Sequence, residues 1–441
     1  MHTVKLDTKR WSNWAGNVKS QPLQVAIPDS LEDVVSIVRD CKRTGRSIRV
    51  VGSGHSFTPI AQTDDCLLSL DRLTGLYAVD PAERTVEVWA GTKLKNLGQL
   101  LFDQGYSQEN LGDINAQSIA GAISTGTHGT GIRFGSISTQ VVGLTVVTAA
   151  GEVLECSREE HPDLLRALQV SLGMLGILVR VRLLVVPAYR MRYQSIRMPV
   201  ADCLSSLDAF REEHRHFEFY AFPYSDTAQV KFMDESTELS QVNQVWSYVK
   251  KMVMENAVFW LLSEGCRLIP SLCKPVSKLS AQAVPSVDES GQSHLLFTTP
   301  RLVRFYEMEY SVPAEKMKAV VEEILQVILQ EQFAVHFPIE CRYVKQDDIW
   351  LSPAYGRDSA YIAVHMYKGM PYQPYFQRIE AIFQRHAGRP HWGKMHTMKA
   401  KQLHQVIPRL EDFLALRTQM DPDGLFLNPY LSELFGVPVR T

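Results

Sequence analysis

An acid and a guanidinium two residues apart on an alternating stretch are a chemically capable pair. In FAVHFPIECRYV (333–344), Phe333, Val335, Phe337, Ile339, Cys341 and Tyr343 alternate with Ala334, His336, Pro338, Glu340 and Arg342. The spacing predicts a strand whose first set covers a core. Glu340 and Arg342 then project together from the other face, their α-carbons roughly 6.5 to 7 Å apart. Such a pair can orient a substrate, or it can be a surface ion pair contributing under about 1 kcal/mol. A second candidate is Lys394 in PHWGKMH (390–396), beside Trp392. A solvated loop lysine would be the default reading without that tryptophan. A third is His55, which follows the turn in VVGSGHSFT (50–58). Alone it reads equally as a polar turn residue.

Three glycine-rich pieces bear on His55. Gly52, Ser53 and Gly54 could form a nest of amides for a phosphate, but they lack the G-x-G-x-x-G spacing of a Rossmann turn. SIAGAISTGTHGTG (118–131) interleaves small residues with Ser124, Thr125, Thr127 and His128, and LGMLGILV (172–179) turns into a strand. Three such pieces with little charge among them suggest a large dinucleotide held mostly by main chain. A metal held by His55, His128, His391 and His396 is not expected. His391 and His396 would lie about 140° apart around a helix, and no carboxylate or cysteine accompanies them at ligand spacing.

These residues need elements to position them. LQVAI (23–27) reads as a strand, Asp29-Ser30 as a cap, and Leu31, Val34, Val35, Val38 and Cys41 as one helix face closed by Gly45. SIRVV then delivers the chain into GSGHS. TVEVWA (85–90) is a strand, Thr92 a cap for a helix carrying Leu94, Leu97 and Leu101, and 144–156 a pair of strands joined by Ala-Gly. After Pro187 the texture changes. FEFYAF, AQVKFM and LVRFYEMEYSV (302–312) suggest an antiparallel sheet, covered on one face by helices at 314–330 and near 373–386. The expected fold is therefore α+β and two-lobed, with a boundary near Pro187.

Composition narrows the partners. The 441 residues carry 46 Lys+Arg against 48 Asp+Glu, so nothing points to nucleic acid or an anionic membrane. A small-molecule substrate is expected. The seven cysteines are odd in number, scattered and without a C-x-x-C pair, which suits a reducing, cytoplasmic setting rather than a disulfide framework or a zinc knuckle. No secretory signal is visible at the N-terminus. VMENAVFWLLSEGCRLIPSL (253–272) is interrupted by Glu264, Arg267 and Pro270 and is too short to span a bilayer. It reads as a buried or interfacial helix, with peripheral membrane contact as its other use.

GSGHS, SIAGAISTGTHGTG and PHWGKMH together resemble the aldonolactone oxidoreductases of the vanillyl-alcohol oxidase flavoprotein superfamily. The resemblance extends through TQVVGLTVVTAAGEVLECS, DDIWLSPAYGRDSAYI, GRPHW and DPDGLFLNPYL. It implies a PCMH-type FAD-binding domain at 1–186, a cap domain at 187–400 and a C-terminal segment, 401–441, returning to the first lobe. FAD would be bound covalently through His55 to the flavin 8α-methyl. Val50, Val51, Gly52, Ser53, Gly54 and Ser56 would contact it, with Gly112, Asp113, Ser118, Gly121, Thr125, Gly126, Thr127, His128 and Ile177.

The resemblance further implies that Glu340 and Arg342 contact substrate above the flavin and that Lys394 lies near its N1 and C2 carbonyl. Asp113, His365 and Trp392 are weaker substrate candidates. The implied reaction is oxidation of an aldono-1,4-lactone (L-gulono, L-galactono or D-arabinono), with hydride passing to flavin N5 and O2 reduced to H2O2. Gly112 bears on the oxygen step, because the family's dehydrogenases carry alanine at that position. Alternatives are an alditol oxidase, which Asp113 disfavours because alditol oxidases have serine there, a dehydrogenase using cytochrome c, and a binding protein without turnover. The resemblance fixes neither oligomeric state nor the lactone.

Overall fold

The computed structural model describes residues 10–238, 257–298 and 303–438. Its first elements follow the sequence pattern. Ser30 caps Leu31–Arg43 by accepting from Asp33 N–H, and Val34, Val38 and Cys41 on one face are buried. The chain enters this helix from the strand Gln24–Ala26 and leaves it, through Gly45 at positive φ, into Ile48–Val51. These two strands flank Cys66–Ser69 in a three-stranded parallel sheet. A five-stranded antiparallel sheet adjoins it, in the order Val153–Ser157, Val141–Val147, Ile177–Leu184, Thr85–Trp89, Leu76–Asp80. The predicted cap at Thr92 is displaced. The helix Leu94–Asp103 starts after Lys93, and Thr92 Oγ1 instead donates to Trp89 O.

The second lobe is built on an eight-stranded antiparallel sheet. Its order is Val287–Gln292, Arg190–Pro199, Thr227–Glu235, His216–Ala221, Ile339–Val344, Ser359–Tyr367, Phe305–Pro313, Arg389–Pro390. The helices Met317–Glu331 and Gln373–Arg385 bury Val320, Ile324, Ile379 and Phe383 in the core cluster that also holds Tyr310 and Ile362 of the sheet. The strand carrying Glu340 and Arg342 is shorter than the alternation predicts. It spans Ile339–Val344 only, because Pro338 precedes it and has no N–H to give a ladder. Its six residues are all buried, so both of its faces are covered.

The apolar stretch 253–272 is not one helix. Among the described residues it forms Phe259–Leu268, broken at Pro270 by a single 3₁₀ turn, with Cys273–Ala283 following; residues 253–256 lie outside the description. No helix among the described residues is long and apolar enough to cross a membrane. The C-terminal segment packs on the first lobe. The Arg49 guanidinium donates to Phe426 O, Leu172 O and Ile60 O, and Asn428 Nδ2 donates to Pro59 O and Gln62 O.

Candidate active site

Two cavities meet at His55, Ser56, Gln117 and Thr125. The first runs along the glycine-rich pieces. Its wall includes Val50 to Ser56, Ser118, Gly121, Thr125, Gly173, Gly176 and Leu178. Close approach explains the glycines. A Cβ on Gly52 would collide with Ser118 Oγ, and Gly54 sits at φ +66°. Ser118 in turn caps the short helix Ile119–Ser124, accepting from Gly121 N–H. The result is a narrow cradle of backbone and small hydroxyls, which fits a pyrophosphate. Of the other expected contacts, Gly112, Asp113, Thr127 and His128 line the second cavity, and two line neither. Ile177 is fully buried between the lining residues Gly176 and Leu178, and Gly126, at φ +72°, packs towards Pro353 and Val170.

The second cavity lies between the lobes and is lined by Trp14, Phe57, Gly112, Asp113, Thr127, His128, Phe305, Glu307, Glu309, Glu340, Arg342, His391 and Lys394, among others. His55 closes the junction, its ring stacked 5.5 Å from Trp14. Burial, with Lys394 and Lys93 nearby, pushes the His55 pKa down to about 4, so the imidazole is neutral at ordinary pH. Backbone bonds fasten the HWGK turn beneath it. Phe57 N–H donates to Gly393 O at 2.7 Å, and Thr58 Oγ1 donates to Trp392 O at 3.0 Å. Met395 N–H and His391 N–H donate to Glu307 O and Glu309 O, so the turn runs beside the Phe305–Pro313 strand.

Strand register assembles the polar wall. Lys231, Glu218, Arg342 and Tyr361 face one another across four strands, and the next row is Gln229, Tyr220, Glu340, Ala363 and Glu309. Arg342 Nε donates to Glu218 Oε2 at 2.8 Å, its Nη2 is paired with Glu340, and Asp113 Oδ2 lies 3.7 Å from the same nitrogen. Behind it, Lys231 Nζ is 3.0 Å from Glu218 Oε1 and Tyr220 Oη donates to Glu340 Oε1 at 3.1 Å. Burial alone would push the Glu218 carboxyl up, but the charges of Lys231 and Arg342 outweigh it and hold it down at about 2. Arg342 is correspondingly held well above its usual value by Glu340 and Glu218, against its own burial.

A second acid pair completes the wall. Lys394 Nζ is 2.5 Å from Glu307 Oε2, and His128 Nε2 is 3.3 Å from Glu309 Oε1. Burial opposes ionisation of both carboxyls, but Lys394 beside Glu307 and His128 beside Glu309 keep them well below the usual carboxylate range. His365 stands behind this wall with Nε2 3.5 Å from Glu307 and 3.7 Å from Glu340. The structure does not bring the Trp392 side chain to the cavity. It is buried against Phe435 and donates Nε1–H to Leu351 O.

The sequence reading missed Glu218, Tyr220, Lys231, Glu307 and Glu309. Each belongs to an alternating strand whose other face is apolar, so polar and charged residues at period 2 were the available signal. It expected no carboxylate at ligand spacing from His391 and His396, whereas the Phe305–Pro313 strand brings Glu309 to His391 and His128; ligand atoms of these three lie within 4.8 Å of one another.

The family profile described as D-arabinono-1,4-lactone oxidase matches residues 181–434, and an FAD binding domain profile matches 22–157. The chain is 38% identical to an L-gulono-1,4-lactone dehydrogenase of Mycobacterium tuberculosis over 426 residues, covering 97% of this chain and 99% of that protein. The chain belongs to the aldonolactone oxidoreductase family. Within that family it is also 30% identical to the L-gulonolactone oxidase of Bos taurus, over 97% of this chain and 98% of the relative. Cholesterol oxidase from B. sterolicum shares the fold with a TM-score of 0.81 at 18% identity, covering 97% of this chain and 96% of that one. A chitooligosaccharide oxidase does so with a TM-score of 0.69 at 14% identity, over 95% and 93% of the two chains. The fold is thus the two-lobed PCMH-type flavoprotein fold and the cofactor is FAD.

Proposed function

We propose that this family member oxidises a secondary alcohol of a neutral aldono-1,4-lactone, the L-gulono, L-galactono or D-arabinono compound, and passes the electrons to O2 with release of H2O2. The observation that carries the substrate class is the charge of the second cavity's wall. Asp113, Glu307, Glu309 and Glu340 line it with only Arg342 and Lys394 as strong cations. Hydroxyl groups find acceptors there, while a carboxylate would meet an excess of negative charge. The lactone is neutral and its hydrolysed aldonate is not. An open-chain alditol is also neutral, and Asp113, standing near Arg342, is what sets this chain apart from the alditol oxidase pattern.

Bound FAD supplies the hydride acceptor. The chain supplies position and charge. Arg342, locked by Glu218 and Glu340, presents its fork to substrate oxygens, and Glu340 accepts a substrate hydroxyl. Lys394 holds a cation where negative charge develops, so it favours the transition state over the ground state. His55 is the attachment residue in this reading, a role supported by its place at the junction of the two cavities. Its neutral imidazole keeps a nucleophilic lone pair.

The acceptor rests on Gly112, which lines the second cavity. A Cβ there would come within 3.0 Å of His128 O and 3.3 Å of Thr127 Cγ2, so alanine would press on the loop that closes this wall. A second reading has support in the Mycobacterium tuberculosis relative, which is named a dehydrogenase. Reduced enzyme mixed with air and, separately, with cytochrome c tests the two. Fast reoxidation by air with one H2O2 per lactone supports the oxidase; slow reoxidation with efficient cytochrome c reduction makes the chain a dehydrogenase.

A further inference from the structure

A buried cluster that lines neither cavity combines two thiols and an imidazole. Cys266 on Phe259–Leu268, Cys273 at the start of Cys273–Ala283, and His336 on the segment leading into the Glu340–Arg342 strand offer ligand atoms all within 4.8 Å of one another. All three side chains are almost wholly buried. We infer that Cys266, Cys273 and His336 form a binding site for a thiolate-seeking d10 cation, Zn2+ in the first instance.

The imidazole is oriented for this purpose. Its Nε2 lies 2.9 Å from Ser263 Oγ, itself fully buried, and an Nε2–H donated to that oxygen leaves the lone pair on Nδ1. Nδ1 then faces Cys273 Sγ at 3.8 Å. Zinc bonds of about 2.3 Å to sulfur and 2.05 Å to nitrogen at a tetrahedral angle give a sulfur-to-nitrogen edge of roughly 3.6 Å. The separation therefore suits a shared metal at least as well as a weak S–H hydrogen bond.

Charge balance favours the same occupant. Zn2+ displaces the two thiol protons, and two thiolates with a neutral imidazole make a complex of zero net charge, which suits a buried position flanked by Phe259 and Phe337. A disulfide between Cys266 and Cys273 would leave His336 without a task. The metal uses all three groups. It would also pin the helix pair 259–283 to the segment that delivers the substrate-facing strand. C-x6-C with a remote histidine is not a recognisable zinc spacing in sequence, and only folding brings the histidine in.

Zinc content of the intact holoprotein, prepared with Zn2+ under reducing conditions, is the test. The expected result is about one zinc per chain, released when a mercurial titrates the thiols. Co2+ in its place should give ligand-field bands to the red of the flavin absorption. Cys266→Ser and Cys273→Ser should each lose the metal while keeping FAD; if either fails to fold, the Co2+ spectrum and mercurial release of the wild type still decide. Absence of zinc with both thiols freely titratable, or a Cys266–Cys273 disulfide found by mass spectrometry under these conditions, would overturn the site.

Discussion

Lys394 and Glu307, from a turn and a strand far apart in sequence, meet at 2.5 Å in the wall of the second cavity. The pair holds a cation in the cavity wall without leaving it uncompensated. Lys394→Met should retain FAD and lower the rate of flavin reduction by about 10²-fold or more. Glu307→Gln keeps the side-chain shape but frees the ammonium to wander, and should lower the same rate by roughly tenfold. Stopped-flow reduction by a lactone measures both. A Lys394→Met enzyme reduced at the wild-type rate removes the cation from the mechanism.

Arg342 is gripped by Glu218 and Glu340, so its planar fork is positioned before substrate arrives. Arg342→Lys keeps the charge and loses the fork. We expect kcat/KM to fall by about 10²-fold with FAD content unchanged. Full activity in the lysine variant would show that a point charge suffices.

His55 should keep the protein yellow through acid precipitation, and His55→Ala should release its FAD under the same treatment. Colour lost from the wild type would rule out the tether.

Four histidines contribute to the acid sensitivity. Burial pushes the pKa values of His216, His391 and His396 down to about 4, and lowers that of His294 as well. A histidine depressed on folding contributes stability that is present above its unfolded pKa, about 6.5. That stability is lost as pH falls towards 4. Asp347 works the other way. Burial raises its pKa to about 6, so the folded state holds a proton that the unfolded carboxyl releases above about 3.9, and stability from this group rises as pH falls through 6. Burial raises the Glu109 and Asp421 carboxyls in the same sense as Asp347, and four lowered histidines against three raised carboxyls leave a net loss of stability between pH 6.5 and 4. Urea midpoints measured across that window should fall, and His396→Asn should flatten the slope. A midpoint that holds steady or rises would contradict the assignment.

The parts of the fold with strong local periodicity were legible in the sequence. Ser30, the Val34/Val38/Cys41 face and Gly45 defined a helix and its ends because each acts over one or two turns. The glycine-rich cradle was legible for a similar reason, since only glycine tolerates the approach of Ser118 to residue 52. The wall of the second cavity was legible only in part. Glu340 and Arg342 stood out as a pair on one strand, but Glu218, Lys231, Glu307 and Glu309 reach them through strand pairing across large sequence separations, and no local pattern encodes that register. Trp392 shows the converse: a position beside Lys394 in sequence places its ring in the core on the other side of the turn.

The central claim is tested most directly by mixing the oxygen-free holoprotein with L-gulono-, L-galactono- and D-arabinono-1,4-lactone, the hydrolysed aldonates and a set of alditols, and following the flavin absorbance. At least one lactone should bleach the flavin rapidly, and its aldonate and the alditols little or not at all. A flavin that stays yellow with every lactone, or that bleaches faster with an alditol or an aldonate, would contradict it.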